Sequence, residues 1–206
     1  MRDTVARNAA EMNPRSPLDG PLQELLERID THADLAAPNL PMLGSALVEL
    51  AADHDYFAPT ISAMSADAPV VPLILPERGP RLMLVHREHG QMGAVHDHGV
   101  WVVLAPVVGI ESHRRWRPLT ADDRTRLQLA EEEGLSPTDY KAMQPPDDIH
   151  DHGHLVGRGD AAYVLIMLGD DQVSYERSEW DTETGEHRVL VPGDAGRWLA
   201  TEPWPA

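Results

Sequence analysis

The chain has 206 residues, enough for one domain with a sizeable core, and no cysteine, which excludes disulfides, thiolate metal sites and a cysteine nucleophile. Seventeen basic residues against thirty-four acidic ones give a net charge of −17, which disfavours binding to nucleic acid and to anionic membrane surfaces. The sequence shows no signal-peptide pattern and no apolar run near the ~20 residues of a membrane span, so a soluble, cytoplasmic protein is predicted.

The first third of the chain predicts helices. Residues 1–19 are polar, contain two prolines and show no periodicity, so a loose leader is expected there. Residues 20–36 carry leucines at helical spacing, with Pro21 in the first turn, where proline is tolerated. A second helix is predicted over 42–54, after a break that contains two prolines.

Beyond residue 67, short apolar runs alternate with Gly, Pro and Asp, which is typical of a β-sandwich or barrel. Strands are predicted over residues 70–75, 81–86, 100–108, 126–130, 161–168, 173–177 and 187–191. The charges of 126–133 would also suit a helix, but Leu127 and Leu129 alternate and a turn follows, which favours a strand. The predicted fold class is therefore all-β, with residues 20–66 as a small helical segment and 67–206 as the barrel of one domain.

The pair His96 and His98 is the most informative feature of the sequence. It lies in a stretch that otherwise reads as strand, where side chains at i and i+2 point to the same side, roughly 6–7 Å apart. Two imidazoles fixed side by side on a stiff element form half of a metal site. Two ordinary surface or core histidines would show the same spacing, so the surroundings decide between these interpretations.

The stretch around this pair resembles the first motif of the cupin superfamily, a glycine, five residues and H-x-H. Here Gly90 precedes the two histidines at that spacing, and Gly109 follows them. Residues 135–150 resemble the second cupin motif, in which a proline and a tight turn lead to a histidine, here His150. The resemblance implies a cupin barrel, also described as a double-stranded β-helix or jelly roll.

Within the cupins, three segments are similar to the cysteine dioxygenase and 3-mercaptopropionate dioxygenase family, over roughly residues 80–190. They are His96-Asp-His98 with Trp101, Asp148-Ile-His150, and residues 180–187. This resemblance implies a thiol-dioxygenase-like enzyme, in which one Fe(II) held by three histidines adds O₂ to a small-molecule substrate, typically a thiol.

The resemblance assigns His96, His98 and His150 as metal ligands. His154 is the alternative third ligand, and His152 shares their parity on an extended strand but has no support from the motif. The glutamate that most cupins add would fall at Val102 or Val103, which cannot bind metal. An ion held by three neutral imidazoles keeps its double positive charge and up to three open positions, which suits a substrate together with O₂.

The sequence departs from this family in its other site residues. The Ser-x-His-x-Tyr triad of the family falls on Val164, Ile166 and Leu168, which are all aliphatic, and the crosslinking cysteine is absent. The substrate-binding arginine falls on residues 70–72, which carry no cation, so Arg81 and Arg87 are the candidate replacements. The substrate is therefore expected to be less polar, larger or differently anchored.

The predicted function is an Fe(II)-dependent cupin dioxygenase acting on a small molecule and O₂. Two alternatives stay open: a non-catalytic metal- or ligand-binding cupin, and a redox-neutral lyase or isomerase that uses Zn, Ni or Mn as a Lewis acid. The oligomeric state and the identity of the substrate are left undefined by the sequence.

Overall fold

The computed structural model describes residues 20–32, 38–74, 79–121, 123–154, 161–169, 176–192 and 198–200. Three helices come first, α1 (Gly20–His32), α2 (Leu40–Ala51) and α3 (His54–Ala63). The strands are β1 (Val70–Ile74), β2 (Arg81–Glu88), β3 (Gln91–Met92), β4 (Val95–His96), β5 (Val102–Val108), β6 (Glu111–Thr120), β7 (Asp123–Leu135), β8 (Lys141–Met143), β9 (His150–His154), β10 (Ala161–Leu168), β11 (Arg177–Asp181), β12 (Glu186–Pro192) and β13 (Trp198–Ala200). In this part of the chain, no helix is long and apolar enough to cross a membrane.

The strands form two antiparallel sheets. The first has five strands in the order β1-β2-β10-β5-β8, and the second has eight, in the order β13-β12-β11-β4-β9-β6-β7 with β3 beside β9. Strands distant in sequence are neighbours in both sheets, as when β10 lies between β2 and β5. This arrangement confirms the predicted all-β, double-stranded β-helix class with a small N-terminal helical segment.

The helices cover one face of the first sheet. The N-cap of α2 is Asn39, whose side chain accepts a hydrogen bond from the backbone N–H of Met42 at 3.1 Å, and a proline occupies the first turn. The helix buries its apolar side against alternate residues of the sheet, namely Val103, Ala105, Leu165 and Met167. Because successive strand residues face opposite ways, the residues between them must face the second sheet.

The face that points toward the second sheet is largely aliphatic. Val164, Ile166 and Leu168 pack there with Val85, Val102, Leu104, Leu135 and Met143. Arg87 shares this face, because it lies two residues along β2 from Val85. The pairing with β10 agrees, since Val85 lies opposite Val164 and Arg87 lies opposite Ala162. The positions of the missing Ser-His-Tyr triad therefore form an apolar wall of the barrel interior, and Arg87 extends from its edge.

The predicted helices differ from the observed ones at their ends. The first is observed as Gly20–His32, and residues 33–37 lie outside the described residues, as does the predicted leader 1–19. The helix predicted over 42–54 spans Leu40–Ala51 instead, because capping by Asn39 starts it earlier. The sequence analysis missed α3, which Asp53 caps by accepting from the N–H of Tyr56 at 3.1 Å.

Among the strands, the choice of strand for 126–130 is confirmed as part of β7. Of the strand predicted over 173–177, residues 173–175 lie outside the described residues, Glu176 is not in a strand, and Arg177 begins β11. β6 was not predicted, because its charged residues and histidine are equally typical of a solvent-exposed strand end. His98 lies just beyond the end of β4 rather than on the strand.

Gly153 in β9 allows the close approach of β3. A Cβ atom at this position would lie 2.1 Å from the carbonyl oxygen of Gln91. We expect Gly153→Ala to lower the free energy of unfolding by about 1–3 kcal/mol, because backbone would have to move. Urea unfolding measures this, with Gly20→Ala as control, since nothing lies within 4 Å of a Cβ there. Equal stability of both variants would contradict this packing.

Candidate metal centre

Two strand pairings bring the site histidines together. His96 on β4 lies directly opposite His150 on β9, and His113 on β6 lies directly opposite His152. Directly opposed residues of an antiparallel pair share a face, and His152 shares the face of His150 because it is two residues along the same strand. The ladder alone thus places four imidazoles on the interior side of the second sheet.

Three of these side chains form a compact set, called here the histidine group: His96, His150 and His152. One ring nitrogen from each lies within 4.8 Å of the other two. The ring centroids are 4.5 Å apart for His96 and His150, and 5.3 Å for His150 and His152. Imidazole nitrogens bind divalent ions at about 2.0–2.1 Å, so small shifts suffice for all three to ligate one cation.

The hydrogen bonds of His96 and His150 place the ring proton on Nδ1. His96 donates from Nδ1 to the carbonyl oxygen of Ala94 at 2.8 Å, and His150 donates from Nδ1 to that of Asp148 at 2.7 Å. Each neutral ring therefore carries its lone pair on Nε2. The Nε2 atom of His150 is buried without a hydrogen-bond partner. The lone pairs on these two Nε2 atoms fit a bound cation.

The predicted ligand His98 is adjacent to this group. Its Nε2 lies 3.2 Å from the Nε2 of His96, and its ring centroid is 5.1 Å from that of His150. The side chain of Asp148 holds the turn, since its Oδ2 accepts the backbone N–H groups of His98 and Gly99 at 3.0 and 3.2 Å. Ligation by His98 stays a prediction, and its ring is within reach of the centre.

The alternative ligand His154 lies away from this group. Its Nδ1 donates to the carbonyl oxygen of Ile110 at 2.8 Å, and its ring packs edge-on against His89 at 5.8 Å. His152, which the motifs did not support, is instead the third member. The sequence shows that His150, His152 and His154 alternate along one strand and so share a face. Which of them lie beside β4 depends on how the two strands pair, and this register cannot be inferred from the sequence.

The interior is a poor environment for positive charge. Burial, followed by the neighbouring imidazoles of His150 and His98, holds the pKa of His96 well below its usual value. Burial and the Arg87 guanidinium do the same to the pKa of His152, and burial lowers the pKa of His150. Neutral imidazoles are the form that binds metal, so the surroundings hold these rings ready to ligate.

Of the two arginines predicted to bind substrate, Arg87 reaches the centre. Its Nη2 lies 2.9 Å from both ring nitrogens of His152, and its Nε lies 3.7 Å from Oε1 of Glu111. Arg81 lies at the other end of β2, roughly 20 Å away along the strand. The two arginines therefore cannot act as one anchor.

Glu111 is a site residue that the sequence analysis missed. It is fully buried, and its Oε1 lies 2.6 Å from Nδ1 of His152. Burial raises the pKa of Glu111 to about 8, with the charge of Arg87 opposing the shift. A cation in the histidine group would oppose the shift further and favour the carboxylate. A residue near His152 in space but 41 positions away in sequence leaves no local signal.

His113 also lies against the histidine group. Its ring stacks on that of His150, with centroids 5.4 Å apart and an interplanar angle of 18°. It is fully buried, and neither ring nitrogen has a hydrogen-bond partner. It was not predicted as a site residue; it faces inward because β6 is flanked by β7 and β9.

No family model matches the sequence, and no curated protein matches it. Among solved structures, the DMSP lyase DddQ from Ruegeria pomeroyi aligns over 75% of this chain and 74% of its own, at 12% identity and a TM-score of 0.39. A cupin superfamily protein from Desulfitobacterium hafniense aligns over 48% and 74%, at 14% identity and a TM-score of 0.35. A protein with a double-stranded β-helix domain from Klebsiella pneumoniae aligns over 57% of this chain and 82% of its own, at 13% identity and a TM-score of 0.39. Similarity of this extent assigns no activity to the chain.

Single substitutions test which histidines bind. We expect His96→Ala, His150→Ala and His152→Ala to lower the affinity for Co(II) at least tenfold, since each removes one donor, while His154→Ala binds like the wild type. Titration against a competing chelator measures the affinity. Loss of binding in His98→Ala, together with full binding in His152→Ala, would replace His152 by His98 as the third ligand.

His113 predicts a pH dependence of stability. Burial, then the charges of nearby groups, lowers its pKa from 6.5 to about 2. The unfolded chain takes up this proton below about pH 6.5 and the folded chain does not, so stability is lost as the pH falls through that range. We expect His113→Phe, which keeps the ring stacked on His150, to recover about 2 kcal/mol of the stability lost between pH 7.5 and pH 5.

Urea unfolding at the two pH values measures this difference, and the comparison at pH 7.5 separates it from any packing effect of the new ring. An unchanged pH dependence in the variant would show that folding does not lower the pKa of His113.

Proposed function

We propose that this protein is a mononuclear, metal-dependent cupin dioxygenase that adds O₂ to a small-molecule substrate, with Fe(II) as the metal. The observation that carries the proposal is the convergence of three imidazole nitrogens in a buried interior, one wall of which is aliphatic. A thiol is the substrate class that the sequence resemblance implies. Zn, Ni or Mn in the same group would instead support a redox-neutral lyase or isomerase, the rival function.

The ligand set favours open coordination. The usual cupin carboxylate falls at Val102 or Val103, which are both fully buried. Val102 lies in the aliphatic cluster opposite Leu168, and Val103 packs under the helices. Fe(II) held by neutral imidazoles would keep its double positive charge and offer adjacent open positions to a substrate donor atom and to O₂. That charge, in an interior of low polarity, attracts an anionic donor atom such as a thiolate more strongly than water would allow.

The residues around the histidine group bind and orient. Val164, Ile166 and Leu168 exclude water and offer an apolar surface in place of the hydroxyl and imidazole of the thiol dioxygenases. The backbone N–H groups of His98 and Gly99 donate to Oδ2 of Asp148, which fixes the turn that carries His98. The substrate that fits these surroundings has one metal-binding atom and an apolar body.

The proposed reaction balances without a further reductant. For a thiolate, sulfur forms two bonds to oxygen as the O–O bond breaks, and sulfur itself supplies the electrons that reduce O₂. The product is a sulfinate of the same charge, so no proton has to enter or leave. This suits an interior in which the histidines are neutral and His113 is not a proton donor at neutral pH.

Oxygen uptake tests the proposal. The protein is loaded with Fe(II) without air, and O₂ consumption is followed after adding aliphatic and aromatic thiols and matched non-thiol acids. We expect one substrate to be consumed with O₂ and to gain both oxygen atoms by mass spectrometry. His150→Ala should abolish the uptake, because it removes a ligand, and His154→Ala should retain it.

Two results would reject this function. Stoichiometric iron with a bound ligand but no O₂ consumption would indicate a binding protein. Product formation that proceeds equally without O₂ would indicate the lyase or isomerase alternative.

A further inference from the structure

His152 differs from the other members of the histidine group in what holds its ring. His96 and His150 donate from Nδ1 to backbone carbonyl oxygens, whereas Nδ1 of His152 faces the side chain of Glu111 at 2.6 Å. A carboxylate accepts a hydrogen bond from an imidazole more strongly than a carbonyl does, because it carries a full negative charge. The three rings are therefore not equivalent donors.

Arg87 adds to this asymmetry. Nη2 of Arg87 lies 2.9 Å from both ring nitrogens of His152. In the plane of the ring, an atom at these two distances would collide with the ring carbon between the nitrogens. The guanidinium nitrogen therefore lies over the ring face, and the in-plane lone pair of Nε2 stays directed away from it. The guanidinium charge repels a second cation at His152, so the negative charge of Glu111 has to offset it if this ring binds a metal.

The burial of Glu111 requires a reason. Its side chain is fully buried, and its Oε2 atom has no hydrogen-bond partner, an arrangement that costs about 1–3 kcal/mol. Arg87, whose Nε lies 3.7 Å from Oε1, compensates a carboxylate at this position, and a cation bound by His152 would compensate it further through the ring. The cost is consistent with a functional role for Glu111 rather than a stabilising one.

We propose that Glu111 is a positioning residue that makes His152 the most electron-rich donor of the histidine group, so that negative charge reaches the metal through an imidazole. The inference rests on the proposed metal site. It assigns to Glu111 the electronic role of the carboxylate ligand that Val102 cannot provide. Arg87 holds the Glu111 carboxylate beside the ring and lies over its face.

The test uses a substitution that removes charge and keeps shape. Glu111→Gln retains an oxygen that accepts from Nδ1 of His152 but carries no negative charge. We expect its affinity for Co(II), measured by chelator competition, to fall about 10- to 100-fold. We also expect its visible absorption bands to move to longer wavelength, because a weaker donor splits the metal orbitals less. Neither readout depends on turnover.

Glu179→Gln is the matched control. Glu179 is also buried and lies directly opposite His96, but it contacts Arg177 and Arg188. We expect its Co(II) affinity and spectrum to match the wild type, whatever its thermal stability. Glu111→Asp keeps the charge but lengthens the contact and should fall between the wild type and Glu111→Gln. It also serves as the test protein if Glu111→Gln does not fold.

A Glu111 variant that binds Co(II) with the affinity and spectrum of the wild type would overturn this inference and leave the proposed function intact. The same applies if Glu179→Gln changes the spectrum equally, since the effect would then be a general one of interior charge. A wild-type protein that binds no Co(II) or Fe(II) would instead end the proposed function.

Discussion

The register of strand β9 between β4 and β6 is the constraint on which the site depends. His150 faces His96 on one side and Arg115 on the other, and His152 faces His113. A slip of one residue would turn every one of these side chains to the opposite face of the sheet. β4 has only two residues, so its own ladder bonds are too few to hold this register.

Side chains hold β4 in place instead. Asp97 accepts the backbone N–H of Ser178 on β11 at 2.7 Å, and its own N–H donates to the carbonyl oxygen of that residue at 3.2 Å. Asp148 fixes the following turn from the β9 side. The two aspartates that flank the histidines thus anchor a short strand to both neighbours. They explain why Asp-His and Asp-x-His patterns accompany the motif histidines.

The sequence predicted the fold class, six of the thirteen described strands, and His96 and His150 of the histidine group. Those features depend on local patterns, namely alternation, turn residues and the spacing of His96 and His98. Glu111, His113 and the choice of His152 were not predictable, because each depends on which residue of a distant strand lies opposite. Polar residues that face inward in β6 look the same in sequence as residues that face water, and only the pairing on both sides separates the two cases.

Strand β10 contributes to two separate apolar clusters with its alternate residues. Leu165 and Met167 pack under the helices, while Val164 and Ile166 face the interior from the other side of the same strand. Changes in the inward set alter the shape of the interior without disturbing the contacts that attach the helices. Substitution at every second position of one strand can therefore remodel the cavity while the scaffold is inherited unchanged.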